Sequence, residues 1–251
     1  MINLSLPTLT AIFFVAIRLG AVLLFTPIQA IRQLPIHVRL LLVFSLSILL
    51  VSNLSLSVQK HDEATLIAGA LVEFANGLTL SMSLYAAFAV LQIAGQLIDT
   101  QTGLNSLAIL NPSSQSADPF TGRLLTMLAV LFFFSLNCHH WLIQGLAYSF
   151  QTIPPGRLAL FKGFMLLIQQ FSLMFSLALM IASPIVIALL VIEISAAILT
   201  RNMPQLSTYF LTLQIKILFG FFLLALLLNY FNPLLERLFR ICFQSWRGVM
   251  A

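Results

Sequence analysis

Four ionisable residues stand inside otherwise apolar runs: Arg18, Glu73, Glu193 and Lys216. A charge at the centre of a bilayer costs about 2.5–3.5 kcal/mol on insertion scales. Such residues line an ion or proton path, or they pair with a charge on a neighbouring helix or subunit, and pairing is the simpler reading. Geometry favours it for two of them. A short turn at 201–205, containing Pro204, folds its flanking runs back on each other. At about 1.5 Å per residue, Glu193 and Lys216 then differ in height by about one helical turn. They are expected to approach each other or to share one polar seam. Removing one partner should then do more harm than removing both.

Other chemistry is sparse. His139 and His140 follow Asn137 and Cys138, and the remaining histidines, His37 and His61, sit in connections. A metal site needs more ligands at matching spacing, so a hydrogen-bonded interhelical histidine is expected. Cys138 and Cys242 lie in or beside apolar stretches without CxxC or Cys/His spacing, and read as small buried hydrophobes. No GxSxG, HExxH, GxxxxGK[ST] or GxGxxG occurs. The seven acidic residues are mostly isolated, which gives no paired-carboxylate site. Neither catalysis, metal nor cofactor is expected.

The elements that carry these residues are unusual in composition. The 251 residues are 60% hydrophobic and 8% charged, with 22 Phe and mean hydropathy +1.04. Soluble domains carry about 25% charged residues, so apolar groups here must face lipid or other subunits. Net charge is +5. The basic residues are scattered singly, without the stripe that nucleic-acid binding requires. The opening Met-Ile-Asn-Leu-Ser-Leu-Pro lacks a basic region and a cleavage site, so the first apolar run is expected to remain in the mature protein.

Six apolar segments emerge: residues 8–31, 40–58, 64–98, 124–150, 163–200 and 206–235. Backbone groups in an apolar medium must pair within their own segment, which predicts helices. The runs are too long and uniform for barrel strands. The expected fold is all-α: a polytopic, membrane-associated protein with about six long apolar helices or hairpins. A hydrocarbon core needs about 20 helical residues. The third and fifth segments exceed that, so they kink, re-enter or extend beyond lipid, and Pro184 offers a kink. After Pro233, Leu234, Leu235, Leu238, Phe239, Cys242, Phe243 and Trp246 repeat at helical spacing. Glu236, Arg237, Arg240, Gln244 and Arg247 fall opposite. Residues 236–251 therefore form a basic amphipathic tail, expected at a membrane surface or on a partner.

One connection stands out. Residues 99–123 are long and polar, with Gly103, Asn111, Pro112, Pro119 and Gly122, and unstructured loops of that length are often functional. Loop charges barely orient the chain. Six alternating spans place Lys60, Arg157, Lys162, Arg237, Arg240 and Arg247 on one side, against Arg32, Arg39, Arg123 and Arg201. The slight excess rests on the tail, weaker than the asymmetry a free-standing transporter shows. This suits a protein built into an assembly.

Short motifs in fixed order carry a resemblance. Arg18 precedes Thr26-Pro27-Ile28, Arg32, Pro35 and Val38-Arg39. Glu73 pairs with Gly77, and Ala94-Gly95 leads to Gln101, Gly103 and Leu104. Further on come Asn137, His139 and Leu142-Ile143, then Pro154 with Gly156, Arg201 with Pro204-Gln205-Leu206, and Lys216-Ile217. In this order and spacing the chain resembles the FliR-type flagellar biosynthetic protein family and its injectisome counterparts. It departs from the family pattern at Cys138, at Asn111-Pro112-Ser113 and at Thr212-Leu213-Gln214.

The resemblance implies a structural and gating subunit of a type III protein export gate in the bacterial inner membrane, within the flagellar basal body. Its partners would be FliP-like, FliQ-like, FlhB-like and FlhA-like subunits, with unfolded secreted proteins as substrates. Residues 1–235 would form one export-gate domain. A channel plug would map to the loop, with Ala108, Ile109 and Leu110 for apolar packing and Asn111, Pro112 and Pro119 shaping the turn. Pro27, Gly103, Asn137, His139, Pro204 and Gln205 would be motif and turn positions. Two rivals remain: a secondary transporter, which should show internal repeats and a midplane site, and a passive scaffold without a gate.

Overall fold

The computed structural model describes residues 6–53, 63–105, 119–156, 160–202 and 208–250. Among them every regular element is a helix: α1 Leu6–Leu24, α2 Gln29–Arg32, α3 Ile36–Asn53, α4 Glu63–Thr102, α5 Phe120–Ser135, α6 Cys138–Thr152, α7 Leu160–Asn202 and α8 Thr208–Met250. Five are long and apolar enough to cross a membrane, or six if the bent pair α5–α6 counts as one span. The chain is a polytopic helical membrane protein.

Local chemistry sets the helix ends. α1 stops before Thr26-Pro27, because a residue preceding proline is driven out of the α region. α4 closes on Gly103 at φ 83, whose N–H reaches the Asp99 carbonyl at 3.1 Å; only glycine adopts that left-handed cap without strain. The run at 124–150, expected as one segment, is two helices. Asn137 at φ 56 breaks it, and asparagine is among the few residues that tolerate this conformation.

α7 passes through Pro184 as one helix of 43 residues. Proline leaves the carbonyl four residues earlier without its N–H partner, and Ser183 Oγ donates to that carbonyl, Met180 O, at 2.9 Å. α8 likewise continues through Pro233 to Met250, so the amphipathic tail is the end of a 43-residue helix. Its apolar residues Leu238, Phe239, Cys242 and Trp246 are buried within the chain.

The chain divides into two compact units. Unit 1 comprises Met1–Phe88, Phe133–Ser172 and Leu238–Ala251; unit 2 comprises Ala89–Phe132 and Leu173–Arg237. In unit 1, α1 packs on α3, and the core gathers Phe14, Leu19, Leu84, Leu146, Phe150 and Trp246. Gly77 lets α4 lie on α1: a Cβ there would sit 2.7 Å from Arg18 O and 2.6 Å from Ala21 Cβ. In unit 2, Ala94, Ile98, Leu125, Ala129, Ile185 and Leu189 are buried. A Cβ on Gly95 would fall on the backbone of Gly122, so α4 and α5 meet backbone to backbone.

Candidate functional site

Unit 1 contains the first charge cluster. Arg18 of α1 and Glu73 of α4 are both fully buried and paired, Nε to Oε2 at 2.5 Å and Nη2 to Oε1 at 2.9 Å. This fork-on-fork geometry is the strong form of the interaction. Arg18 Nη1 also donates to Ser149 Oγ at 2.8 Å and Ser149 O at 3.1 Å, and Nη2 to Ile153 O at 3.3 Å. Glu73 Oε1 accepts the N–H of Gly156 at 2.8 Å. The Phe150 ring lies under the guanidinium, 4.3 Å from centroid to Cζ. Gly156, at φ 89, makes the turn that points its N–H inward. One cation and one anion thus join α1, α4, α6 and the turn after it. Every strong donor site has an acceptor, which offsets the desolvation cost of burying them.

Unit 2 contains the second pair. Lys216 of α8 donates to Glu193 Oε2 of α7 at 3.2 Å, and Gln101 Nε2 of α4 donates to the same oxygen at 3.1 Å. The structure brings these two charges together across the α7–α8 hairpin. The Lys216 side chain is 12% exposed and that of Glu193 57%.

Unit 2 also holds the stem of the polar connection, through a residue that sequence reasoning passed over. Asp99, fully buried, accepts the N–H of Thr121 through Oδ2 at 2.8 Å and the Thr121 hydroxyl through Oδ1. Pro119 precedes α5 and has no side-chain acceptor with which to cap it, so Asp99 caps α5 from the last turn of α4. No local pattern signalled this, because Asp118 beside Pro119 reads as an ordinary local cap and nothing points to an acceptor 22 residues away. A second missed cluster lies in unit 1. Ser83 Oγ donates to Gln170 Oε1 at 2.7 Å and accepts from Trp246 Nε1 at 2.9 Å, with Cys242 beside it.

The remaining sequence candidates are dispersed. Pro27 lies in the extended link between α1 and α2. Gly103 and Asn137 occupy left-handed positions. His139, in the first turn of α6, faces His140 at 4.3 Å and Phe134 at 5.8 Å between ring centroids. Its Nδ1 is buried without a hydrogen-bond partner among the described residues. Among the described residues no three His, Cys, Asp or Glu side chains gather as a metal would require. Ala108, Ile109, Leu110, Asn111 and Pro112, and also Pro204 and Gln205, lie outside the described residues; Pro119 is described and partly buried.

Long apolar helices, joined by charges paired inside the apolar regions, define a class: an integral-membrane helical protein. Within that class, residues 9–241 match the family model of bacterial export proteins, family 1, and the chain belongs to that family. It is similar to the flagellar biosynthetic protein FliR of Bacillus subtilis (strain 168), 28% identical over 251 residues, covering 96% of this chain and 95% of that protein. FliR of Escherichia coli (strain K12) is 30% identical over 240 residues, covering 95% and 92%. FliR of Aquifex aeolicus (strain VF5) is 30% identical over 206 residues, covering 81% and 80%.

Proposed function

We propose that this chain is a structural and gating subunit of the flagellar type III protein export gate. It helps build the inner-membrane pore complex of the basal body, through which unfolded flagellar proteins leave the cell. The observation that carries this reading is the match to an export family over residues 9–241, with FliR proteins as full-length relatives. Physical features support it. The most apolar stretch of α8 is only 11% buried within the chain, and that of α7 28%, against 67% for α4. Such faces need covering by lipid or by other subunits. Neighbours of the FliP, FliQ, FlhB and FlhA types are the partners that fit this reading. The polar connection between α4 and α5 serves as the plug, with its stem held by Asp99 and Thr121.

Two measurements test it. Tagged chain purified from membranes should bring down further export subunits, with a complex mass well above that of the chain alone; a solitary, stable chain defeats the reading. Deleting residues 106–118 should leave assembly intact and raise the ion conductance of the closed complex. Unchanged conductance in an assembled complex removes the plug and leaves a passive scaffold.

A further inference from the structure

A cavity of about 280 Å³ opens in unit 1 between α6 and the end of α8. Trp141, Gln144, Tyr148 and Gln151 line it from α6, at the three- and four-residue spacing that puts them on one helix face. Phe243 and Trp246 line it from α8. Three of the rings follow one another at near right angles: Trp141 to Phe243 at 6.3 Å and 80°, then Phe243 to Trp246 at 5.2 Å and 73°. Trp246 is fixed from behind. Its Nε1 donates to Ser83 Oγ at 2.9 Å, and Gly145 makes room for the ring, since a Cβ there would lie 2.7 Å from Trp246 Cε3. With that nitrogen engaged, Trp246 offers the cavity ring carbon alone. Gln144, Tyr148 and Gln151 are exposed, and their side-chain amides and hydroxyl bond no other described residue. No charged side chain is among the lining residues.

This lining selects its ligand. An anion finds no cation here and meets the negative faces of the rings. An acyl chain would cover the rings but leave the amides and the hydroxyl with nothing to bond. A cation is drawn to aromatic faces, to tryptophan most of all, and the two carboxamide oxygens and the phenol oxygen accept its N–H groups. A bare cation would add charge to a chain of net +5, whereas a zwitterion brings its own anion. We propose that this cavity takes the primary ammonium of a zwitterionic, ethanolamine-type phospholipid headgroup, with the rings around the ammonium and Gln144 and Gln151 as acceptors of its N–H bonds. Trp and Tyr gather at headgroup level in membrane proteins, which favours a lipid over a soluble amine. The proposal needs an integral-membrane chain and stands apart from the export reading.

Native mass spectrometry tests it, on the particle in which the chain purifies from membranes, stripped of lipid and titrated with short-chain phospholipids. The wild-type particle should bind one more phosphatidylethanolamine per chain than the Trp141→Leu particle, or bind it about tenfold more tightly, the scale of one desolvated cation–π contact. Trp141→Phe keeps an aromatic face and should retain most of that binding. Phosphatidylglycerol, which has no ammonium, should bind the wild-type and Trp141→Leu particles alike. Gln144→Leu with Gln151→Leu changes two exposed positions and gives a second route. It should weaken phosphatidylethanolamine and leave phosphatidylcholine unchanged, because a quaternary ammonium has no N–H to give. If neither Trp141→Leu nor the double variant weakens phosphatidylethanolamine, the proposal is overturned, and protein or nothing occupies the cavity. Equal loss of phosphatidylglycerol in Trp141→Leu overturns it too, since the ammonium would then play no part. Displacement of the lipid by free ethanolamine at equal concentration assigns the cavity to a soluble amine and overturns the lipid.

Discussion

Arg18–Glu73 and Glu193–Lys216 are both ion pairs between helices of an apolar protein, yet they are built differently. The first is fully buried, bidentate, and surrounded by partners that fill both carboxylate oxygens. The second meets through one oxygen and leaves the other open, with Glu193 57% exposed. A saturated pair has nothing left to offer a neighbour, so its role is internal: it holds α1, α4 and α6 together. The exposed pair adds one polar contact to the α7–α8 hairpin and leaves its carboxylate largely accessible. The degree of burial and satisfaction, more than the presence of charge, separates a charge that pins a fold from one that adds little to it.

The comparison breaks most readily at Glu73. Glu73→Ala leaves a buried guanidinium without its anion, a change that costs about 3–5 kcal/mol in such settings. The folded chain should largely disappear from membranes, as measured by detergent-solubilised yield and loss of the unfolding transition. A stable Glu73→Ala chain would mean that Arg18 finds water, and the pair would not be the pin described. The next effect sharpens the point. Arg18→Met together with Glu73→Leu removes both charges and should recover much of the stability lost in the single variant, since replacing a buried pair by apolar groups is often near neutral. No recovery would show that the bonds to Ser149, Ile153 and Gly156 matter more than the charge balance. The smallest effect belongs to the other pair. Glu193→Ala in the isolated, detergent-solubilised chain should shift stability by less than about 1 kcal/mol, the usual range for exposed pairs. A larger shift in its thermal unfolding would put Glu193 in the same class as Glu73.

Much of this was legible in the order of the residues. The all-helical class follows from apolar runs too long for any other backbone solution in lipid. The approach of Glu193 to Lys216 follows from two runs folded at 201–205, because rise per residue converts sequence separation into height. Arg18 and Glu73 were visible as anomalies, but their mutual contact was not, since 55 residues and two further helices separate them. Asp99 looked like the first residue of a polar connection, and Ser83 like one more small residue in an apolar helix. Neither has a local pattern, because their partners, Thr121 in one case and Gln170 and Trp246 in the other, come from distant elements.

By itself the sequence determined what the chain is made of: membrane-length helices, four embedded charges, and an ordered series of motifs that marks an export family. Those are properties of composition and short-range periodicity, which each segment carries alone. Only the tertiary structure decided which charge was buried and saturated, and which was left half open. It also decided that the amphipathic tail packs into its own chain, and that a proline-started helix is capped by a carboxylate from the helix before it. Burial and hydrogen-bond satisfaction depend on what surrounds an atom, and helices distant in sequence supply those surroundings.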